Sequence, residues 1–124
     1  MKGIIMHWEV LEQTVEKICG KNGWNLYNEA TVLAQADKLI EEVSELREAA
    51  FAHAQDLTSY VDSSGNKVKD TEEELIDGIG DSLVVLKNLC VMLDLDMKFC
   101  FNSAIEVIAK RKGEMIDGKF VKEQ

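Results

Sequence analysis

Two stretches of this chain repeat one arrangement, in which carboxylates run along a helical pattern beside its apolar side. The first is Glu41-Glu42-Val43-Ser44-Glu45; the second, about thirty residues on, is Glu74-Leu75-Ile76-Asp77-Gly78-Ile79-Gly80-Asp81. At about 100° per residue, Glu42 and Glu45 lie within roughly 60° of each other, and so do Glu74, Asp77 and Asp81. On the first helix Gln35, Lys38, Glu42, Glu45, Ala49 and His53 share an arc of about 80° that adjoins the apolar arc of Leu39, Val43, Leu46 and Ala50. On the second, the acidic stripe continues onto Val84, Val85 and Asn88, positions expected to be buried. Acids placed this way repel one another and resist desolvation unless a cation lies between them. The two stripes are therefore expected to face each other.

The rest of the chain is consistent with helices carrying those stripes. It has 124 residues with no proline, 46% apolar and 30% charged, which predicts a single all-α domain over residues 1–124. A core of this size is more secure in an oligomer. With 23 acidic and 14 basic residues the net charge is −9, so the surface repels nucleic acid, membrane surfaces and free polyphosphates. An anionic substrate would need metal ions to bridge it. Cys19, Cys90 and Cys100 are odd in number, lack C-x-x-C spacing and fall in apolar patterns, which predicts buried, reduced thiols in the cytosol. Polar residues interrupt the N-terminus before a signal-peptide core develops, and no apolar run approaches the length of a membrane span. These features predict a cytoplasmic location.

Taken in order, Trp8, Leu11, Val15 and Ile18 mark a first helix from about Ile4 to Cys19, closed by Gly20 and Gly23. A loop at Trp24 and Asn25 precedes a long helix, from about Asn28 to Gln55, that carries the first stripe. From Asp56 to Asp70 the helical period is lost, and turn residues predict a loop with a small hairpin. Thr71 with Glu74 reads as the capping box of a third helix ending near Leu93. Asp96 reads as the N-cap of a fourth, reaching about Arg111. The tail Gly113 to Gln124 is mixed in character and suited to packing on a partner.

One acidic stripe is ordinarily a solvated helix face, but two that merge with apolar positions, with no lysine intervening among their acids, point to a shared cation site. All-oxygen ligands with no cysteine or histidine in the motif suit Mg²⁺. A di-iron bundle would need Glu-x-x-His pairs, and His53 follows Glu48 by five residues. The Asp62 to Gly65 run lacks the distal glutamate of an EF-hand loop, and no P-loop or nucleophile elbow is present. Trp8 and Trp24 read as core or interface residues, and His7 and His53 as surface or core-edge residues.

The residues Gln35-x-x-Lys38-Leu39-x-Glu41-Glu42-x-x-Glu45-Leu46, then Glu74-x-x-Asp77 and Gly80-Asp81-Ser82-Leu83-Val84-Val85-Leu86, closely resemble the MazG-like nucleotide pyrophosphohydrolases of the all-α NTP pyrophosphatase superfamily. The match is to the E-x-x-E, spacer, E-x-x-D signature and runs from about Leu33 to Lys122. It departs from the pattern at one point. The aspartate directly before the apolar run is Asp81, whose third residue upstream is Gly78, whereas the literal E-x-x-D is Glu74 to Asp77. Either Asp77 and Asp81 form the functional pair, or Glu74 and Asp77 do and Asp81 is an added ligand.

The resemblance implies a four-helix bundle completed by formation of a homodimer or homotetramer. It also implies Mg²⁺-dependent cleavage of a (d)NTP to (d)NMP and pyrophosphate. Glu42, Glu45, Glu74, Asp77 and Asp81 would be the metal ligands, and Glu41 or Glu45 would accept the proton of the attacking water. Lys38 reads either as a phosphate contact or as the i,i+4 partner of Glu42. Lys110 and Arg111 read either as cations on a helix C-terminus or as a phosphate clamp across a subunit interface. Asn88, two turns beyond Asp81, would face the sugar or base of a nucleotide lying along the helix. The rival expectation from another class is a non-catalytic helical module that keeps the fold and binds a nucleotide or a protein.

Overall fold

Three helices begin where a side chain takes up an orphan amide group. In the computed structural model, which describes residues 6–124, Thr31 accepts the amide of Ala34 at 3.1 Å and opens a long helix. Asp70 does the same for Glu73 at 3.1 Å, and Asp96 for Lys98 at 2.9 Å. The elements in order are α1 (Trp8–Cys19), α2 (Leu26–Glu29), α3 (Val32–Ala54), β1 (Tyr60–Val61), β2 (Lys67–Val68), α4 (Thr71–Met92), α5 (Met97–Ala109), β3 (Gly113–Ile116) and β4 (Lys119–Lys122). The protein is thus predominantly helical. Ile4, where the first helix was expected to begin, lies outside the described residues.

Four local expectations are corrected. The cap of α4 is Asp70, one residue before the expected Thr71; Thr71 is the first helical residue, buried, with its hydroxyl unpartnered. The long helix starts at Val32, because residues 26–29 form the separate turn α2 and Thr31 supplies the cap. The tail forms an antiparallel hairpin pairing Gly113 with Lys122 and Ile116 with Lys119. Its two-residue turn is Asp117-Gly118, with φ of +50° and +78°, a left-handed pair that Asp-Gly readily adopts. Of the three thiols, all free, only Cys19 is buried; Cys90 is half-buried and Cys100 exposed. The expected small hairpin between the two long helices is present as β1 and β2, with Asp62 accepting the amides of Ser64 and Asn66 inside the turn.

The chain divides into two units, Met1–Asp94 and Leu95–Gln124. In the first, α1, α3 and α4 pack closely, with α3 against α4 as the main contact and α2 lying on α4. At its centre Gly78 meets Leu46 so closely that an added Cβ would lie 3.1 Å from Leu46 Cβ. From α1, Glu12 reaches Lys87 of α4 at 3.2 Å, both side chains largely out of solvent. In the second unit α5 exposes Phe99, Phe101, Ile105 and Ile108. Among the described residues, no helix is long and apolar enough to cross a membrane.

The face that α3 turns inward is rotated from the expected one, with Leu39 and Leu46 of the apolar arc still half-buried. Its buried residues are Glu42, Ala49 and Ala52, while Val43 of the apolar arc is 48% exposed. Small residues on this side let the helices approach, so one acid enters the seam and the larger apolar residues Ile40, Val43 and Phe51 face outward. On α4 the buried positions are Thr71, Gly78, Val85 and Asn88, and the opposite side exposes Ile76, Ile79, Leu83 and Leu86. Both long helices therefore carry unburied apolar surface.

Two glycines of α4 provide a direct check on the seam. Gly80 has open space where a Cβ would stand, so Gly80→Ala is expected to stabilise the protein by about 1 kcal/mol through helix propensity. Gly78→Ala would press on the stem of Leu46, and overpacking of about 1–3 kcal/mol is expected to cancel or outweigh the same gain. Denaturant unfolding of the two variants measures this; equal stabilisation by both would mean the helices are not in close contact at Gly78.

Candidate active site

The seam brings the two acidic stripes together in the first unit. Since Leu46 meets Gly78, and Gln35 lines a cleft with Asn88 further along, α3 and α4 run in opposite directions. That geometry sets Glu45 near Glu74, and Glu42 beside Asp81 in the wall of the cleft. Glu42 is buried, Glu74 half-buried, and Glu41, Glu45, Asp77 and Asp81 are exposed.

Like charges across the seam affect the protons. Burial first, then the charge of Glu42, raises the Glu45 carboxyl from its ordinary value; Lys38 opposes this, while Glu41 and Glu74 add to it. The Glu74 carboxyl is raised by burial, then by Asp77, Asp81, Asp62 and Glu42. Tyr60 of β1 belongs to the same electrostatic neighbourhood, its phenol pushed up by burial and by Glu74, Glu48, Asp62 and Glu45. The hairpin is held near these acids by Glu48, which accepts the amide of Ser63 at 2.8 Å. Sequence reasoning did not single out Tyr60, since its link to Glu74 depends on where the hairpin folds back.

The cation within this group is Lys38, 3.4 Å from Glu42 and 3.7 Å from Glu41. Burial lowers the affinity of its ammonium for the proton, but the hydrogen bond to Glu42 and the charges of Glu41, Glu42 and Glu45 outweigh that and raise it. Of the two readings of Lys38, the ion pair with Glu42 is therefore formed in this structure.

The cleft itself has a volume of about 500 Å³. Lys38, Glu41, Glu42 and Asp81 line one part of it, Trp24, Leu26, Val85 and Asn88 another, and Gln35 and Asp37 of α3 add to its wall. Asn88 is 2% exposed, and its Oδ1 accepts the hydroxyl of Tyr27 at 2.9 Å. Trp24, expected in a core or interface, is 69% exposed at the edge of the cleft. The sequence signal for Trp24, Leu26 and Tyr27 was weak, because they lie outside both helical patterns. Lys110 and Arg111 belong to the second unit, exposed at the C-terminal end of α5, where Lys110 is the cap residue.

Chemically, the carboxylates of the seam form an all-oxygen donor set with uncompensated negative charge, which fits a hard divalent cation. Among the described residues, no three histidine, cysteine, aspartate or glutamate side chains converge closely enough to hold a metal ion as they stand. Ligation would thus require rotation of exposed side chains such as Glu45, Asp77 and Asp81. Comparison of the chain with protein-family models, with curated proteins and with solved structures found no match.

The upward shift at Glu45 has a definite sign for stability. A carboxylate whose folded pKa lies above its unfolded value costs stability while ionised, and the cost is relieved as pH falls through the folded value toward about 4.5. Without metal, Glu45→Gln is expected to melt a few degrees above the parent at pH 7, the gap closing as the pH approaches 4.5. The effect is small because Glu45 is exposed to screening solvent. Melting curves across this range check the expectation; a variant less stable than the parent at pH 7 would contradict repulsion across the seam.

Proposed function

We propose that this protein is a Mg²⁺-dependent nucleoside triphosphate pyrophosphohydrolase that cleaves a (d)NTP to (d)NMP and pyrophosphate. One observation carries the reading: two acidic stripes, distant in sequence, meet across one helix seam at the end of a cleft whose other end offers an aromatic ring and an amide. The likeness of Gln35 to Leu46 and Glu74 to Leu86 to the MazG-like signature supports it. Glu42, Glu45, Glu74, Asp77 and Asp81 would hold the metal. Mg²⁺, when bound, would neutralise the triphosphate and make a bound water more acidic. Glu41 or Glu45 takes the proton of the attacking water as its oxygen bonds to phosphorus, one bond of the α–β bridge breaks, and pyrophosphate leaves. Lys38, released from Glu42, is placed to contact a phosphate oxygen, and Asn88 lies toward the sugar or base. Lys110 and Arg111 would complete the phosphate site in an assembly.

The fold is then a MazG-like four-helix bundle completed by a second copy, in a dimer or tetramer. What supports this is the unburied apolar row Ile76, Ile79, Leu83 and Leu86 on α4, together with Ile40, Val43 and Phe51 on α3. Sedimentation at micromolar concentration is expected to give a mass of two or four chains, and Ile79→Glu to shift it toward one. A monomeric parent would exclude this architecture.

The alternative, a non-catalytic module that binds a nucleotide or a protein, is favoured by the lack of three converging acids in the described structure. A substrate panel with pyrophosphate detection separates the two. Millimolar Mg²⁺ is expected to raise the melting temperature, by the equivalent of about 2.7 kcal/mol at a hundredfold excess over its Kd, and EDTA to abolish turnover without unfolding. Glu42→Gln or Glu45→Gln is expected to lower turnover by about a hundredfold or more while helicity stays native. Near-parental activity in both variants would rule out the hydrolase.

A further inference from the structure

The end of the cleft away from Glu42 and Asp81 contains a polar pair that hydrolysis of the phosphates does not use. Asn88 lies seven residues beyond Asp81 on α4, about 10 Å along the helix, so a nucleotide with its phosphates at the acids would place its base near Asn88. A primary amide offers both an acceptor and two donors, and free rotation would let it read either kind of base edge. Here rotation is restricted. The hydroxyl of Tyr27 on α2 donates to Oδ1 at 2.9 Å, and Asn88 is 2% exposed. The planar amide then carries its NH₂ on the branch away from Tyr27. Asn88 is part of the cleft wall, as are Trp24 and Leu26, so the group it can offer a ligand is a donor. The exposed ring of Trp24 supplies a stacking surface at the same end.

We propose that Tyr27 locks the Asn88 amide in a donor-only orientation, so that between the pyrimidine nucleotides the cleft favours cytosine, with its unprotonated N3, over uracil. This rests on the nucleotide reading above and names the base within it. Cytosine carries adjacent acceptors at O2 and N3, which can together take the two amide protons, whereas the acceptors of uracil, O2 and O4, flank an N3–H that opposes the NH₂. Tyr27 keeps the proton it donates throughout the physiological range, because burial, then the charges of Cys19 and Glu16, push its phenol up to about 12. Tyr27 is a positioning residue, acting on the base through Asn88.

Calorimetric titration of the full chain with CMP and with UMP, in Mg²⁺, reads the base without turnover. The parent is expected to bind CMP about tenfold tighter than UMP, the size of effect that a mispaired buried donor produces. In Tyr27→Phe the amide is free to turn, and the ratio is expected to fall toward one. A probe that needs no variant is the ribonucleotide of 2-pyrimidinone, which keeps O2 and N3 but lacks the exocyclic amine. It is expected to bind the parent within about threefold of CMP. Equal binding of CMP and UMP by the parent, no binding of either, an unchanged ratio in a folded Tyr27→Phe, or binding of the 2-pyrimidinone nucleotide as weak as UMP would each overturn the proposal. CTP turnover is scored separately. Discrimination in binding without pyrophosphate release would overturn the hydrolase and leave the base reader standing, whereas turnover without discrimination would do the reverse.

Discussion

Everything in the first unit depends on how closely α3 and α4 approach at Gly78 and Leu46. With no side chain at residue 78, two long helices come into contact along a face that includes Glu42, Ala49 and Ala52 on one side and Val85 and Asn88 on the other. A larger residue there would separate the helices, and Glu42 would return to solvent. A carboxylate three residues before Asp81 would have to occupy the tightest point of the seam, and the acids of α4 stand at Glu74, Asp77 and Asp81 instead.

That approach concentrates negative charge where water is partly excluded. Glu45 and Glu74 both hold their protons more tightly than ordinary carboxylates, each influenced by acids of the other helix. Lys38 pairs with Glu41 and Glu42 and offsets only part of the rise at Glu45. Such a seam stores repulsion in the folded state, and a hard cation is the species that would relieve it. The proposed chemistry and the proposed metal dependence thus share one physical origin. The same close packing leaves little apolar surface inside: among the described residues Cys19, Ala49, Ala52 and Val85 are the buried apolar ones, while Ile40, Phe51, Ile76 and Ile79 face outward. A surface with that much hydrocarbon in rows along two helices is suited to self-association.

Much of this was legible in the residues alone. The existence of the long helices, the Asp96 cap, the break at Asp94 and the small hairpin after α3 follow from periodicity and turn chemistry, which act over a few neighbouring residues. The Asp117-Gly118 hairpin was equally local in its signal, but its strands are short and mixed in character, so the turn residues were the only strong cue. The acids of both stripes were also legible, since helical spacing puts them on one side of their own helix whatever that helix packs against.

What periodicity could not determine is which side of each helix meets a neighbour. Hydrophobicity placed Leu39, Val43, Leu46 and Ala50 inward on α3; Leu46 does meet Gly78, but the helix is turned so that Glu42, Ala49 and Ala52 are the buried residues while Val43 and Ala50 are exposed. Tyr27 and Asn88 are 61 residues apart, and the hydrogen bond that orients the amide exists only because α2 lies on α4. The sequence by itself determined the helices and the acidic stripes they carry, for those depend on backbone geometry and side chains a turn apart. The tertiary structure decided which stripe faces which, how deeply Glu42 is buried and which way Asn88 points, because these depend on how one helix is rotated against another, and no spacing within a single helix encodes that.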